Sequence, residues 1–101
     1  MAVDPWTSSA GQRVRRRCFE RDKASGAPCW ICGDPIDYSL GMSRRSGNPM
    51  AWEADHYRPR KLFPELALEP SNIRASHAKC NRSRGKRAAI AELGRPSRDW
   101  G

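Results

Sequence analysis

Two pairs of metal donors, each spaced by two residues, constrain this chain more than any other feature: Cys29 and Cys32 in Cys-Trp-Ile-Cys, then His77 and Cys80 in His-Ala-Lys-Cys. Three thiolates and one imidazole in this arrangement suit a closed tetrahedral zinc site. At 101 residues the chain has room for one domain, and a domain of that size buries too little apolar surface to be comfortably stable without a staple. A disulfide framework is the competing reading of four cysteines. The first ten residues lack a basic start followed by an apolar stretch, so no secretory segment supports it, and zinc is expected instead. Cys18 has no partner at metal spacing and is read as packing.

Charge gives the second constraint. Nineteen Lys and Arg against eleven Asp and Glu leave a formal +8, which points to a polyanionic partner, nucleic acid above all. No apolar run approaches the length needed to span a bilayer, so a cytoplasmic protein without membrane contact is expected, in a bacterial or phage-infected cell.

In chain order, residues 1–7 read as a flexible arm with Trp6 able to dock on the body, 8–94 as the domain, and 95–101 as a flexible tail. Ser8 or Ser9 can cap a helix whose apolar positions Ala10, Val14 and Cys18 recur every four residues, until Ser25-Gly26-Ala27-Pro28 stops it. Its other face carries Arg13, Arg15, Arg16, Arg17, Arg21 and Lys23. A solvated face is the default for such a run; in a chain this basic, phosphate contacts account for it better.

Cys29–Cys32 should form a knuckle closed by Gly33. Ile36, Tyr38 and Leu40 alternate like a short strand, and the following loop offers Arg44 and Arg45 to a substrate. Trp52 and Ala54 alternate with Glu53 and Asp55 as in a half-buried strand that ends before Pro59. Leu62, Phe63, Leu66 and Leu68 supply a packed loop. A segment Ile73–Ala75 is expected to return antiparallel, and a last helix to run from near His77 to Gly94.

The order CxxC, Asp55-His56, Asn72, His77-x-x-Cys80-Asn81 resembles the zinc-containing HNH endonucleases over about residues 29–87. His77 stands where many relatives carry a Cys, and Asn81 where the family name has its last His. The resemblance implies an α+β fold: a small zinc-stapled ββα-metal core, treble-clef-like, here with an added N-terminal helix. It also implies hydrolysis of DNA phosphodiesters to 5′-phosphate and 3′-hydroxyl ends, and gives Asn72 the role of tying the loop to the first strand and orienting the catalytic His.

The chemistry can be assigned residue by residue. His56 is the expected general base, since an imidazole with an ordinary pKa near ~6.5 is mostly unprotonated at neutral pH. Asp55 and Asn81 offer hard oxygen donors to Mg²⁺ or Mn²⁺, with Ni²⁺ a further candidate. Two protein ligands make a weak site, so that ion should bind firmly only with DNA. Arg13, Arg16, Arg17, Arg58, Arg60, Lys61, Lys79, Arg82, Arg84 and Lys86 are the expected phosphate contacts. The size suits a nuclease targeted by a partner, such as a phage packaging terminase. The alternative is a zinc-finger DNA-binding module of treble-clef type without hydrolysis.

Overall fold

A computed structural model describes residues 5–92, with side chains through Gly85. The tail over 95–101, the start of the arm over 1–4, and the Lys86 side chain lie outside the described residues.

Helix α1 spans Ser9–Ser25. Ser8 caps it, with an extended backbone and a hydroxyl that accepts from the Gly11 N–H at 3.3 Å, and Gly26 closes it in the left-handed conformation at φ 65°. The chain before α1 folds into a 3₁₀ turn, Pro5–Thr7, that buries Trp6. Gly11 makes this possible, because a Cβ there would collide with the Trp6 carbonyl oxygen.

Strands β1 (Trp52–His56) and β2 (Ile73–His77) form one antiparallel pair. Its register sets Trp52 opposite His77 and Asp55 opposite Arg74. Helix α3, Ala78–Glu92, follows β2 without a break, so His77 is the last strand residue rather than part of the helix. The result is a small α+β fold consistent with the ββα-metal architecture, with α1 added in front.

The core forms where α1 meets the sheet. Trp52 is fully buried against Phe19, their rings 5.4 Å apart and near-perpendicular, and Trp6, Cys18, Cys29, Ile36, Ile73 and Ala75 complete the cluster. A polar pin crosses it: Trp52 Nε1 donates to Asp22 at 3.0 Å, and Asp22 pairs with Arg21 at 2.9 Å. Arg21 also donates to the carbonyls of Pro70 and Ile73. Such bonds satisfy a buried carboxylate and fix α1 to the start of β2.

Several expectations need correcting. Arg21 serves this pin rather than an open phosphate-facing row. Arg15 is also drawn inward, 9% exposed, with its guanidinium 4.2 Å from the Trp6 ring centroid; cation–π stacking compensates part of its desolvation. The stretch with Ile36, Tyr38 and Leu40 is a 3₁₀ turn, Tyr38–Leu40, because Asp37 caps it through the Ser39 N–H and Gly41 ends it at φ 73°. The basic loop contains a one-turn helix, α2, Ser43–Ser46. Leu62 is 66% exposed and covers nothing.

Candidate metal and hydrolytic centres

Three elements converge on the zinc-type cluster. The knuckle folds back through bonds from Gly33 N–H to the Cys29 carbonyl and from Cys29 N–H to the Asp34 carbonyl. The Trp30 N–H then donates to Ala75 O and ties the knuckle to β2. β2 delivers His77, and the first turn of α3 delivers Cys80. The donor atoms of Cys29, Cys32, His77 and Cys80 all lie within 4.8 Å of one another.

Donor geometry fits a zinc ion. Bonds of ~2.3 Å to sulfur and ~2.0 Å to nitrogen separate tetrahedral donors by about 3.5–3.8 Å. His77 Nδ1 lies 3.4 Å from Cys32 Sγ and 3.8 Å from Cys80 Sγ. On the far side of the ring, Nε2 lies 3.0 Å from the Pro35 carbonyl oxygen. A carbonyl only accepts, so Nε2 carries the proton and Nδ1 presents its lone pair to the sulfurs.

Thiol acidities are split. Burial pushes Cys29 up, but hydrogen bonds from the Cys32, His77 and Ile31 backbone outweigh it and bring the thiol down to about 7. Burial and the neighbouring Cys32 and Cys29 sulfurs push Cys80 up to about 11. A cation among the sulfurs would relieve that crowding, and the cluster can hold a metal such as zinc.

The second centre lies along β1. Asp55 is buried, with Oδ2 accepting from Trp30 Nε1 at 2.7 Å and Oδ1 from Arg84 at 2.8 Å. Burial raises its pKa above the ordinary carboxylate value, against the pull of these two partners. Asn81 reaches the same strand from α3, its Nδ2 donating to Glu53 Oε1 at 2.8 Å and to the Ala54 carbonyl at 3.3 Å. Both acceptors demand the NH₂ end of the amide, which leaves Asn81 Oδ1 as the atom available to a hard cation.

His56 takes the opposite course. Successive strand side chains alternate between faces, and while Asp55 meets Trp30 and Arg84, His56 packs edge-on against Trp6, ring centroids 4.4 Å apart. Its Nε2 lies 2.9 Å from the Ala67 carbonyl oxygen. By the same logic as at His77, Nε2 carries the proton and Nδ1 is the basic nitrogen. Asn72 secures the loop that supplies this carbonyl. Its Oδ1 accepts from the Arg58 N–H at 2.9 Å, and its Nδ2 donates to the carbonyls of Arg58 and Leu66.

A family model described as HNH endonuclease matches residues 29–87. The chain belongs to the HNH endonuclease family. No curated protein and no solved structure gives a significant match. Membership assigns the HNH domain a nuclease-family function, with DNA as the implied substrate. No described helix is long and apolar enough to cross a membrane.

Among the expected phosphate contacts of this HNH domain, Arg13, Arg16, Arg17, Arg58, Lys61, Lys79 and Arg82 are exposed and Arg60 is half-buried. Arg84 differs: besides pairing with Asp55 it bonds the carbonyls of His56 and Tyr57 and lies 5.0 Å from the Trp30 ring centroid. It is a partner of the centre itself rather than an outward phosphate ligand.

Sequence reasoning missed Glu53 and Trp30 as supports of this centre. Glu53 Oε2 accepts from Ser43 Oγ at 2.6 Å while Oε1 holds Asn81. Its place two residues before Asp55, on the same strand face, was the available signal. Trp30 carried none, because its indole reaches Asp55 only through the folded knuckle.

Proposed function

We propose that this HNH domain is a metal-dependent DNA endonuclease in which His56 is the general base and Asp55 and Asn81 hold the catalytic ion. What supports the reading is the packing of Asn81 against β1: Glu53 and Ala54 take both ends of its NH₂ group, so its carbonyl oxygen is free for a ligand role beside the Asp55 strand. The donor set is all oxygen, as Mg²⁺ and Mn²⁺ prefer. When bound, such an ion would neutralise charge on the phosphate and stabilise the leaving oxygen. His56 Nδ1 takes the proton of the attacking water, while the Nε2–H bond to Ala67 O steadies the ring and the imidazolium that forms. Asn72 positions the loop behind it, and the exposed cations Arg13, Arg16, Arg17, Arg58, Lys61, Lys79 and Arg82, with Arg60, hold phosphates of the duplex. Cys29, Cys32, His77 and Cys80 hold a structural zinc at the β2–α3 junction, and so fix Asn81 one residue beyond Cys80.

A non-catalytic zinc-stapled DNA-binding module is favoured by one contact, the Arg84–Asp55 ion pair at 2.8 Å, which satisfies the carboxylate without a metal. Plasmid nicking separates the two readings. Supercoiled DNA incubated with Mg²⁺, Mn²⁺ or Ni²⁺ should be nicked by the native protein and at least ~100-fold more slowly by His56→Ala, the usual scale for losing a general base. Binding without nicking in all three ions would establish the module. A role beside a phage packaging terminase, cutting DNA at a site the partner selects, belongs to the same proposal.

A further inference from the structure

A concavity outside both centres lies between α1 and α2. It has a volume of about 510 Å³, and Arg13, Arg15, Arg16, Arg44 and Arg45 line it together with Met42. Five arginines line one hollow, and among the described residues no carboxylate lines it. Among the described residues Arg13, Arg16, Arg44 and Arg45 form no ion pair.

The arrangement is a preorganised excess of positive charge. Arg15 forms its inner wall, rigidly stacked on Trp6. Burial lowers the Arg15 pKa, and Arg44 and Arg60 lower it further, with Glu53 opposing them. Like charges held together by a fold raise its energy, and an anion entering between them relieves it. The planar forks of arginine match phosphate oxygens two at a time.

The hollow also has a fixed relation to the proposed general base. Arg15 lies 4.2 Å from the Trp6 ring and Trp6 lies 4.4 Å from the His56 ring. Even laid end to end, those two contacts span roughly two or three phosphates at about 3.4 Å of axial rise each.

We infer that the α1–α2 cleft is a phosphodiester-binding site that holds nucleic-acid backbone flanking the phosphate presented to His56. The inference deepens the nuclease reading and takes its occupant from it. α1 is then part of the substrate surface as well as a scaffold, and Arg44 and Arg45 act from α2 on the opposite wall.

The test uses the full zinc-loaded chain in a His56→Ala background, so that DNA binding is read without cutting. Binding of a fluorescent duplex is followed by anisotropy across a salt series for this protein, for the added pair Arg44→Ala and Arg45→Ala, and for Lys23→Ala, an exposed charge on α1 outside the cleft. Removing two phosphate contacts should reduce the slope of log K against log salt by about two and weaken binding about tenfold or more at moderate salt. Lys23→Ala should change neither. An unchanged slope and affinity in the Arg44/Arg45 pair overturns the inference, as does a Lys23→Ala effect of equal size, which would reveal only a diffuse field. Competition by poly-glutamate matching duplex DNA charge for charge would overturn it in favour of an acidic protein ligand. Plasmid cutting by the native protein is scored separately. A reduced slope without any cutting keeps the cleft and sinks the nuclease, while cutting with an unchanged slope does the reverse.

Discussion

The zinc-type cluster and the proposed hydrolytic centre are built from neighbouring segments by opposite means. In the first, four donors converge within 4.8 Å of one another, two of them essentially buried. In the second, Asp55 and Asn81 are already engaged by Trp30, Arg84, Glu53 and Ala54, and His56 leaves β1 on the other face. On the proposed reading, the contrast separates a metal that belongs to the fold from one that belongs to the reaction. A closed cluster gains its metal on folding, whereas a centre whose groups are satisfied by the protein takes an ion only when substrate phosphate adds ligands.

The largest expected effect breaks the first half of this contrast. Net stability of a small domain is ~5–15 kcal/mol, and a structural zinc supplies on the order of 10 kcal/mol, so its loss leaves the fold unsupported. His77→Ala, or chelation strong enough to strip zinc, should abolish the cooperative thermal transition and all cutting, even with excess Mg²⁺ restored. A folded His77→Ala variant that still retains zinc would remove His77 from the clamp.

A smaller effect sharpens the second half. Glu53 orients Asn81 without being needed as a ligand, so Glu53→Ala should raise the Mn²⁺ concentration required for half-maximal cutting by about 10–100-fold, the usual cost of losing such a support. Saturating Mn²⁺ should recover much of the rate. A loss of rate that no Mn²⁺ concentration restores, with the ion requirement unchanged, would make Glu53 something other than a positioning residue.

The smallest is a proton count. At pH 7.5 the metal-free Cys80 thiol, near 11, is protonated and Cys29, near 7, is partly ionised. Zinc uptake should therefore release about one proton from Cys80 and a fraction of one from Cys29, and zinc affinity should rise with pH up to neutrality and beyond. Calorimetry in buffers of different ionisation enthalpy measures the release.

Much of the fold was legible because its signals are local: Ser8 and Gly26 at the ends of α1, alternation from Trp52 to Asp55, and the paired donor spacings. Misreadings arose where a tertiary partner overrode a local pattern. Ile36, Tyr38 and Leu40 alternate as a strand would, yet Asp37 offers its carboxylate to the Ser39 N–H, and among the described residues no strand pairs with this stretch. Arg15 sits in a run of arginines that reads as one exposed face, but Trp6, brought over by the contact that Gly11 permits, gives it an inward ring to stack on. Arg84 looked like its basic neighbours until the buried Asp55 carboxylate claimed it. The site residues were legible by order and spacing; their orientation was not, because it is set by carbonyls such as Ala67 and Pro35 that any residue type could supply.

The central claim is that two metals of different kinds serve this domain, and dialysis against a mild chelator tests it most directly, with zinc content and plasmid nicking read on the same sample. The account predicts zinc held at one per chain, nicking lost, and nicking restored by Mn²⁺ alone. Nicking that persists at full rate with zinc as the sole metal would contradict it.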